Sequence, residues 1–340
     1  MYSLTSLCTG TIGVDADDNA YASAIYWISP ASFPAVSVSK IAIQAMDSIG
    51  SLDLTYLVGR EIGSCTLLKE LARGSMAVLF VAYQRTLKRQ IAAKILPKSV
   101  LTPFTAERFR EEAESAAILS HPNIVTVYEA GETKEFLYIL LQLVRGQSLA
   151  ERLRLIKKHV LPSRRILPIE ATLKIINEVL GALNYAHRQD IVHRDIKPAN
   201  ILLEIDTDRP VITDFGLAMT MRGSQQEVGV GTPIYMAPEQ MWRGRVDGRA
   251  DIYATGMMLY EMLVPTLPLP PSLTSQELVT IKFQVKQYLF RTPPSQMNPL
   301  VHWEMDEILL KALSPDPENR YPSCEDFLEA LKAYQARHLQ

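Results

Sequence analysis

Cysteine is nearly missing from this chain. There are three in 340 residues, Cys8, Cys65 and Cys324. They lie far apart, their number is odd and none forms a CxxC pair. That excludes a disulfide framework or a structural zinc site and fits reduced thiols in the cytosol. Also missing is an uninterrupted run of about 18 apolar residues, the length a membrane span needs. The nearest candidate, Tyr21 to Val38, is uncharged but broken by Pro30 and Pro34 and rich in serine. No basic segment of the secretory kind opens the chain, so we expect no membrane span and a cytoplasmic protein. A charge bias is missing too. Thirty-five Lys and Arg face 37 Asp and Glu, a net charge of −2. A protein built for nucleic acid or an anionic membrane favours a basic surface, so neither partner is expected. What is present, 47% hydrophobic and 21% charged residues, is ordinary globular composition and excludes disorder over most of the chain.

Residues 1–63 differ from the rest. Up to Asp53 the only basic residue is Lys40, against five aspartates. Periodicity is weak, and we read an acidic, poorly ordered extension. Asp15-Ala16-Asp17-Asp18-Asn19 resembles the start of a calcium loop. However, Ala20 stands where that loop needs glycine and Tyr26 where it needs glutamate.

Beyond residue 63 the pattern sharpens. Leu67 to Leu71, Val78 to Tyr83, Gln90 to Ile95, Ile124 to Tyr128 and Phe136 to Leu143 read as short strands. Ala106 to Leu119 reads as a helix stopped by His121-Pro122-Asn123. After Gly146 the spacing becomes helical, at Ile169 to Ala186, 250–264, 275–289, 301–313 and 323–337. Two strands, Ile201 to Leu203 and Val211 to Thr213, frame a polar turn. The expectation is an α+β fold of two lobes. A small antiparallel sheet with one main helix spans 64–144, a larger helical lobe spans 145–335, and a tail covers 336–340.

Four segments carry the chemistry, in this order: Ala92-Ala93-Lys94, His193-Arg194-Asp195-Ile196-Lys197-Pro198-Ala199-Asn200, Asp214-Phe215-Gly216 and Ala237-Pro238-Glu239. Together they resemble the eukaryotic-like protein Ser/Thr kinases, with a texture closest to the bacterial members. The resemblance covers residues 64–335. Phosphoryl transfer asks for positioning and for cancellation of phosphate charge, and the resemblance implies who supplies them. Lys94 would reach the α- and β-phosphates of ATP, held by Glu112. Asp195 would accept or orient the proton of the acceptor hydroxyl. Asn200 and Asp214 would offer hard oxygens to Mg²⁺ (or Mn²⁺). Lys197 and Thr232 fit the Ser/Thr version of the site, and Thr232 to Glu239 fits the segment that docks a protein substrate.

The same resemblance puts Leu141 at the gatekeeper position and the adenine against the backbone of Gln142 and Val144, between Leu202 and Ala92. Glu239 would pair with Arg320, and Asp251 would brace the loop that carries Asp195. The phosphate-covering loop departs from its family pattern of three glycines. Leu71-Ala72-Arg73-Gly74-Ser75-Met76-Ala77-Val78-Leu79 keeps only the middle one, and Leu79 is larger than the usual valine. Alanine restricts the close backbone approach that glycine allows, so weaker or slower nucleotide use is expected. Arg194, before Asp195, points to regulation by a phosphate on Thr220 or Ser224, with Glu227 as a built-in alternative charge. Residues 151–170 carry six basic side chains and two acidic ones, a charge run that could favour an acidic substrate. Two other readings share these motifs. One is a pseudokinase scaffold without turnover. The other is a phosphotransferase for small molecules, which would lack the docking segment and Arg320.

Overall fold

The structure is a computed structural model. It describes residues 53–74, 77–161, 164–215, 219–220, 234–241, 246–269, 277–278, 282, 289–290 and 292–339. The calcium-like stretch, Ser75, Met76, Ser224, Glu227 and Thr232 lie outside the described residues.

The N-terminal lobe is a six-stranded antiparallel sheet: β1 (Glu61–Ile62), β2 (Cys65–Arg73), β3 (Val78–Gln84), β4 (Arg89–Pro97), β5 (Val127–Glu132) and β6 (Phe136–Leu141). Their order across the sheet is β1-β2-β3-β4-β6-β5. Period-2 alternation sorts its side chains. Val78, Phe80 and Ala82 of β3 and Ile91, Ala93 and Ile95 of β4 fill one core with Phe136 and Leu140. Residues of the other parity, Leu79, Val81, Ala92 and Lys94, turn to the opposite face. The lobe begins before the boundary at residue 63. Leu54, Leu57 and Ile62 are buried in this same core, so the acidic extension can reach no further than about residue 52.

Helix α1 (Pro103–Ile118) packs on this sheet. It starts three residues earlier than the apolar spacing suggests. Thr102 caps it, accepting from the Thr105 amide at 3.1 Å, while Thr105 Oγ1 accepts from the Thr102 amide at 2.9 Å. Pro103 sits in the first turn, where no amide hydrogen is needed. The strand expected at Ile124 to Tyr128 also shifts. Pairing with β6 begins at Val127, because residues 123–125 are used elsewhere. Val125 donates to Ile212 O at 2.9 Å and Ile212 to Asn123 O at 2.8 Å, which stitches one lobe to the other.

The C-terminal lobe holds β7 (Gly146–Ser148), α2 (Leu149–Lys157), α3 (Ile169–His187), β8 (Ile191–Val192), β9 (Ile201–Glu204), β10 (Pro210–Ile212) and β11 (Met219–Thr220). It continues with α4 (Arg249–Leu263), α5 (Pro294–Met297), α6 (Trp303–Ala312) and α7 (Cys324–His338). At its centre is α4, where every residue from Ala250 to Leu263 except Glu261 is buried. A helix apolar on all sides belongs in the middle of a core. Gly146 is needed for the β7–β9 pairing, since a Cβ there would lie 1.8 Å from Leu203 O. Of the helix read at 275–289, residues 277, 278, 282 and 289 are described; the first three are helical and Leu289 is not. Among the described residues no helix is long and apolar enough to cross a membrane.

Candidate active site

Strand register builds the upper wall of a cleft. Leu79 pairs with Lys94, Val81 with Ala92, and Ala92 with Leu141, so side chains of one parity line one face. Below them Leu202 stays half-exposed on β9 while its neighbours Ile201 and Leu203 are buried. At the connection between the lobes the Gln142 amide donates to Thr126 O at 2.8 Å. That commits the Gln142 amide to the fold.

The glycine loop is a hairpin. Gly74 donates to Ala77 O at 2.9 Å, and β2 and β3 pair up to Arg73↔Val78 and Ala72↔Leu79. Gly74 does not sit in the left-handed region; its Cβ position lies 3.3 Å from Ala77 O. Ala77 is buried in the lobe core, and Leu71 is exposed. The alanines therefore extend strand pairing to the base of the loop.

Three charged groups from three elements meet behind it. Lys94 Nζ donates to Glu112 Oε1 and Oε2 at 2.6 and 2.8 Å and to Asp214 Oδ1 at 2.7 Å. Helical phase selects Glu112: at about 100° per residue its neighbours Glu111 and Glu114 face elsewhere. Burial works against the Lys94 ammonium, but Asp214 and Glu112 outweigh it and hold its pKa above the ordinary lysine value. Lys94 in turn holds Asp214 below the ordinary carboxylate value. Asp214 adopts φ +60°, which turns it against the direction of the following chain. Phe215, 1% exposed, packs edge-on against His193 with centroids 4.5 Å apart.

The loop after β8 brings the remaining groups together. Lys197 Nζ donates to Asp195 Oδ2 at 2.7 Å, and Asn200 Nδ2 to Asp195 O and Oδ2 at 2.8 and 3.0 Å. The amide nitrogen of Asn200 is thus committed, and its oxygen is left as a hard donor. Asp214 adds its carboxylate, bonded to Lys94 through Oδ1. One neutral and one anionic oxygen suit a divalent cation such as Mg²⁺, so the donor set fits.

The loop itself is fixed from below. Asp251 on α4, fully buried, accepts from the amides of His193 (2.9 Å) and Arg194 (2.7 Å) and bonds His187 Nε2 at 2.8 Å. Burial pushes the Asp251 carboxyl up, but His187 and these partners hold it below the ordinary value. Arg194 adopts φ +64°, a strained setting for a non-glycine residue that the two amide bonds impose. Its Nε is buried with no partner among the described residues.

Further out, Arg320 holds Glu239 in a two-pronged pair at 2.6 and 2.8 Å. Gln240 accepts from the Ala237 amide and donates to Arg194 O, both at 2.8 Å. It ties residues 234–239 to the Asp195 loop. Four residues escaped the sequence reading. Gln240 and His187 left no local signal, because each acts across tens of residues. Arg108, buried on α1 near Arg194, read as one charge among several on a charged helix. Lys282 belongs to no motif, yet it is 4% exposed.

The model of the protein kinase domain matches residues 65–331. Over 275 residues the chain is 38% identical to a probable serine/threonine-protein kinase of Streptomyces coelicolor, covering 77% of this chain and 38% of that protein. It is 32% identical to the tyrosine-protein kinase MasK of Myxococcus xanthus, covering 82% of this chain and 44% of that protein. The chain therefore spans about two fifths of the length of these relatives. Among solved structures, the Mycobacterium tuberculosis PknI kinase domain aligns with a TM-score of 0.64 at 27% identity, covering 81% of this chain and 98% of that one. Two lobes around a cleft, four motifs on the elements that line it and a family match across both lobes agree: the chain belongs to the bacterial-type, eukaryotic-like Ser/Thr protein kinase family.

Proposed function

We propose that this chain transfers the γ-phosphoryl group of Mg²⁺·ATP (Mn²⁺ as a substitute) to Ser or Thr hydroxyls of proteins. The observation that carries the proposal is the convergence of Lys94, Glu112 and Asp214 from three separate elements. A structural surface has no need of a lysine shared by two carboxylates at the mouth of a cleft. Lys94 would hold the α- and β-phosphates, with Glu112 fixing its direction. Asn200 and Asp214 would hold the metal, which when bound neutralises charge on the phosphates. Asp195 would take up or orient the acceptor proton. Lys197, on the same carboxylate, would steady the transferred group with Thr232. Leu71, Ala72, Arg73, Gly74, Ser75, Met76, Ala77 and Leu79 would cover the phosphates and adenine from above.

Catalysis of this kind rests on preorganised charge. The Asp251 anchor supports that here, since it holds the Asp195 loop without using any group of the cleft. The docking segment with its Arg320 partner argues against a small-molecule phosphotransferase. The acceptor type rests on Lys197 and Thr232, because the relatives include a protein named a tyrosine kinase. The unpartnered Arg194 Nε near Arg108 supports regulation by a phosphate. The candidate hydroxyls are those of Thr220 and Ser224, one or both of which would carry the phosphate. The test is transfer of labelled phosphate by wild type and Asp214→Asn onto the chain itself and onto myelin basic protein, followed by phosphoamino-acid analysis. We expect phosphoserine or phosphothreonine from wild type and none from the variant. Label on tyrosine would correct the acceptor class. Nucleotide binding without transfer would favour the scaffold.

A further inference from the structure

A buried lysine lies within the stretch read as a helix at 275–289, and its partners are unusual. Lys282 is 4% exposed. Its Nζ donates to Ile234 O at 2.5 Å and to Met236 O at 2.8 Å. It lies 5.0 Å from the centre of the Tyr253 ring, which Arg320 also approaches, at 4.9 Å. Among the described residues no carboxylate bonds to it. The nearest, Glu239, is taken up by both prongs of Arg320.

A buried lysine whose hydrogen-bond acceptors among the described residues are carbonyls is costly. Burial pushes the Lys282 pKa down to about 7, with Arg320 adding to the effect and Glu239 opposing it. A surface lysine that merely packed would turn its amine to water. This one spends two of its three donors on alternate carbonyls of a single short segment. The residue between them, Tyr235, points its hydroxyl the other way, onto Glu261 Oε2 at 2.5 Å, and Lys157 bonds Glu261 Oε1 at 2.6 Å. Residues 234–236 are thus gripped by backbone on one side and by side chain on the other. Gln240 carries the connection on to the Asp195 loop.

We infer that Lys282 is a positioning residue for the protein acceptor: by holding the Ile234 and Met236 carbonyls it sets the edge on which a substrate chain docks beside Asp195. The inference rests on the kinase reading proposed above. It makes Lys282 and the docking segment one unit, so a partner that displaces Lys282 would reach the acceptor site through a single side chain.

The experiment compares wild type, Lys282→Met and Lys282→Arg, using myelin basic protein as acceptor. Methionine keeps the apolar stem and removes the donors; arginine keeps two donors. A misplacement of about 1 Å near the reacting groups can cost on the order of 100-fold. We expect Lys282→Met to raise the KM for the acceptor by about 10- to 100-fold while the KM for ATP changes by less than about twofold. Lys282→Arg should recover most of that loss. Hydrogen exchange gives a second readout free of catalysis: amides of 234–240 should exchange faster in Lys282→Met, with those of α3 unchanged. An unchanged acceptor KM, equal losses in the methionine and arginine variants, or faster exchange throughout the lobe would each overturn the inference. A wild type that transfers nothing to the acceptor would refute the kinase reading alone, and the exchange data would then decide the clamp by themselves.

Discussion

Two ion clusters of this protein use the same chemistry for opposite ends. In the cleft Lys94 bridges Glu112 and Asp214, and the Asp214 side chain is 50% exposed. Beneath the docking segment Arg320 holds Glu239 with its own side chain fully buried, backed by bonds to Ser314 O and Arg249 O. The upper cluster borders solvent through Asp214. The lower one has its acceptors and donors spoken for. A charge cluster that must exchange partners with a nucleotide has to stay partly wet, whereas one that fixes a backbone is best sealed. The difference teaches that an ion pair's neighbours, more than its length, tell whether it serves chemistry or architecture.

Removing the cation from each cluster separates the two. Lys94→Met should lower phosphate transfer by about 10²–10³-fold, the typical cost of losing one preorganised donor. Its stability in urea should fall by less than on removal of Arg320, since the half-exposed Asp214 left behind can be hydrated, although Glu112 is nearly buried. Arg320→Ala should do the reverse. Leaving Glu239 buried without a counter-ion costs about 3–5 kcal/mol, read as a lower urea midpoint. Replacing both partners with apolar residues of similar size should cost less than the single change. Equal stability losses at the two sites would break the comparison.

A third test concerns the Asp251 anchor, which has features of both clusters. Burial opposes the His187 imidazolium, but Cys324 and Asp251 outweigh it and raise its pKa from 6.5 to about 10. A group raised in the folded state stabilises fully below its unfolded pKa and loses that contribution as pH climbs through the folded one. Wild type should therefore lose stability relative to His187→Gln between about pH 6.5 and 10. The slope should not exceed about 1.4 kcal/mol per pH unit. Parallel pH profiles would show that the histidine does not hold its proton. The smallest effect is expected at the loop. Ala72→Gly should tighten nucleotide binding a few-fold and lower stability by about 0.5–1 kcal/mol, measured by titration and by thermal unfolding. No change in affinity would show that the alanine is not what limits the loop.

Much of this site was legible in the sequence because its parts are local. Each of Lys94, the Asp195-to-Asn200 turn and Asp214 belongs to a short segment whose residue types and order are informative by themselves. Glu112 was legible through the family resemblance, and helical phase adds only that Glu111 and Glu114 face elsewhere. The start of α1 at Pro103 was also readable, from Thr102 and Pro103, but apolar spacing pointed to a later residue. The strand at 124–128 was misplaced because both candidate pairings are apolar, and only the competition of Ile212 for residues 123–125 moved it. The boundary at residue 63 failed for the same reason. Leu54 and Leu57 look like stray apolar residues in a polar stretch until the sheet covers them.

The amino-acid sequence by itself determined the two-lobe fold, the identity of the charged groups and the family. These follow from alternation, helical period and short motifs, which depend on neighbours along the chain. Tertiary structure alone decided that His187 joins Asp251 under the Asp195 loop, that Gln240 ties that loop to the docking segment, and that Lys282 is a buried clamp. Those roles come from burial and from partners between 46 and 64 residues away, and no local pattern encodes which of many similar side chains the fold will enclose.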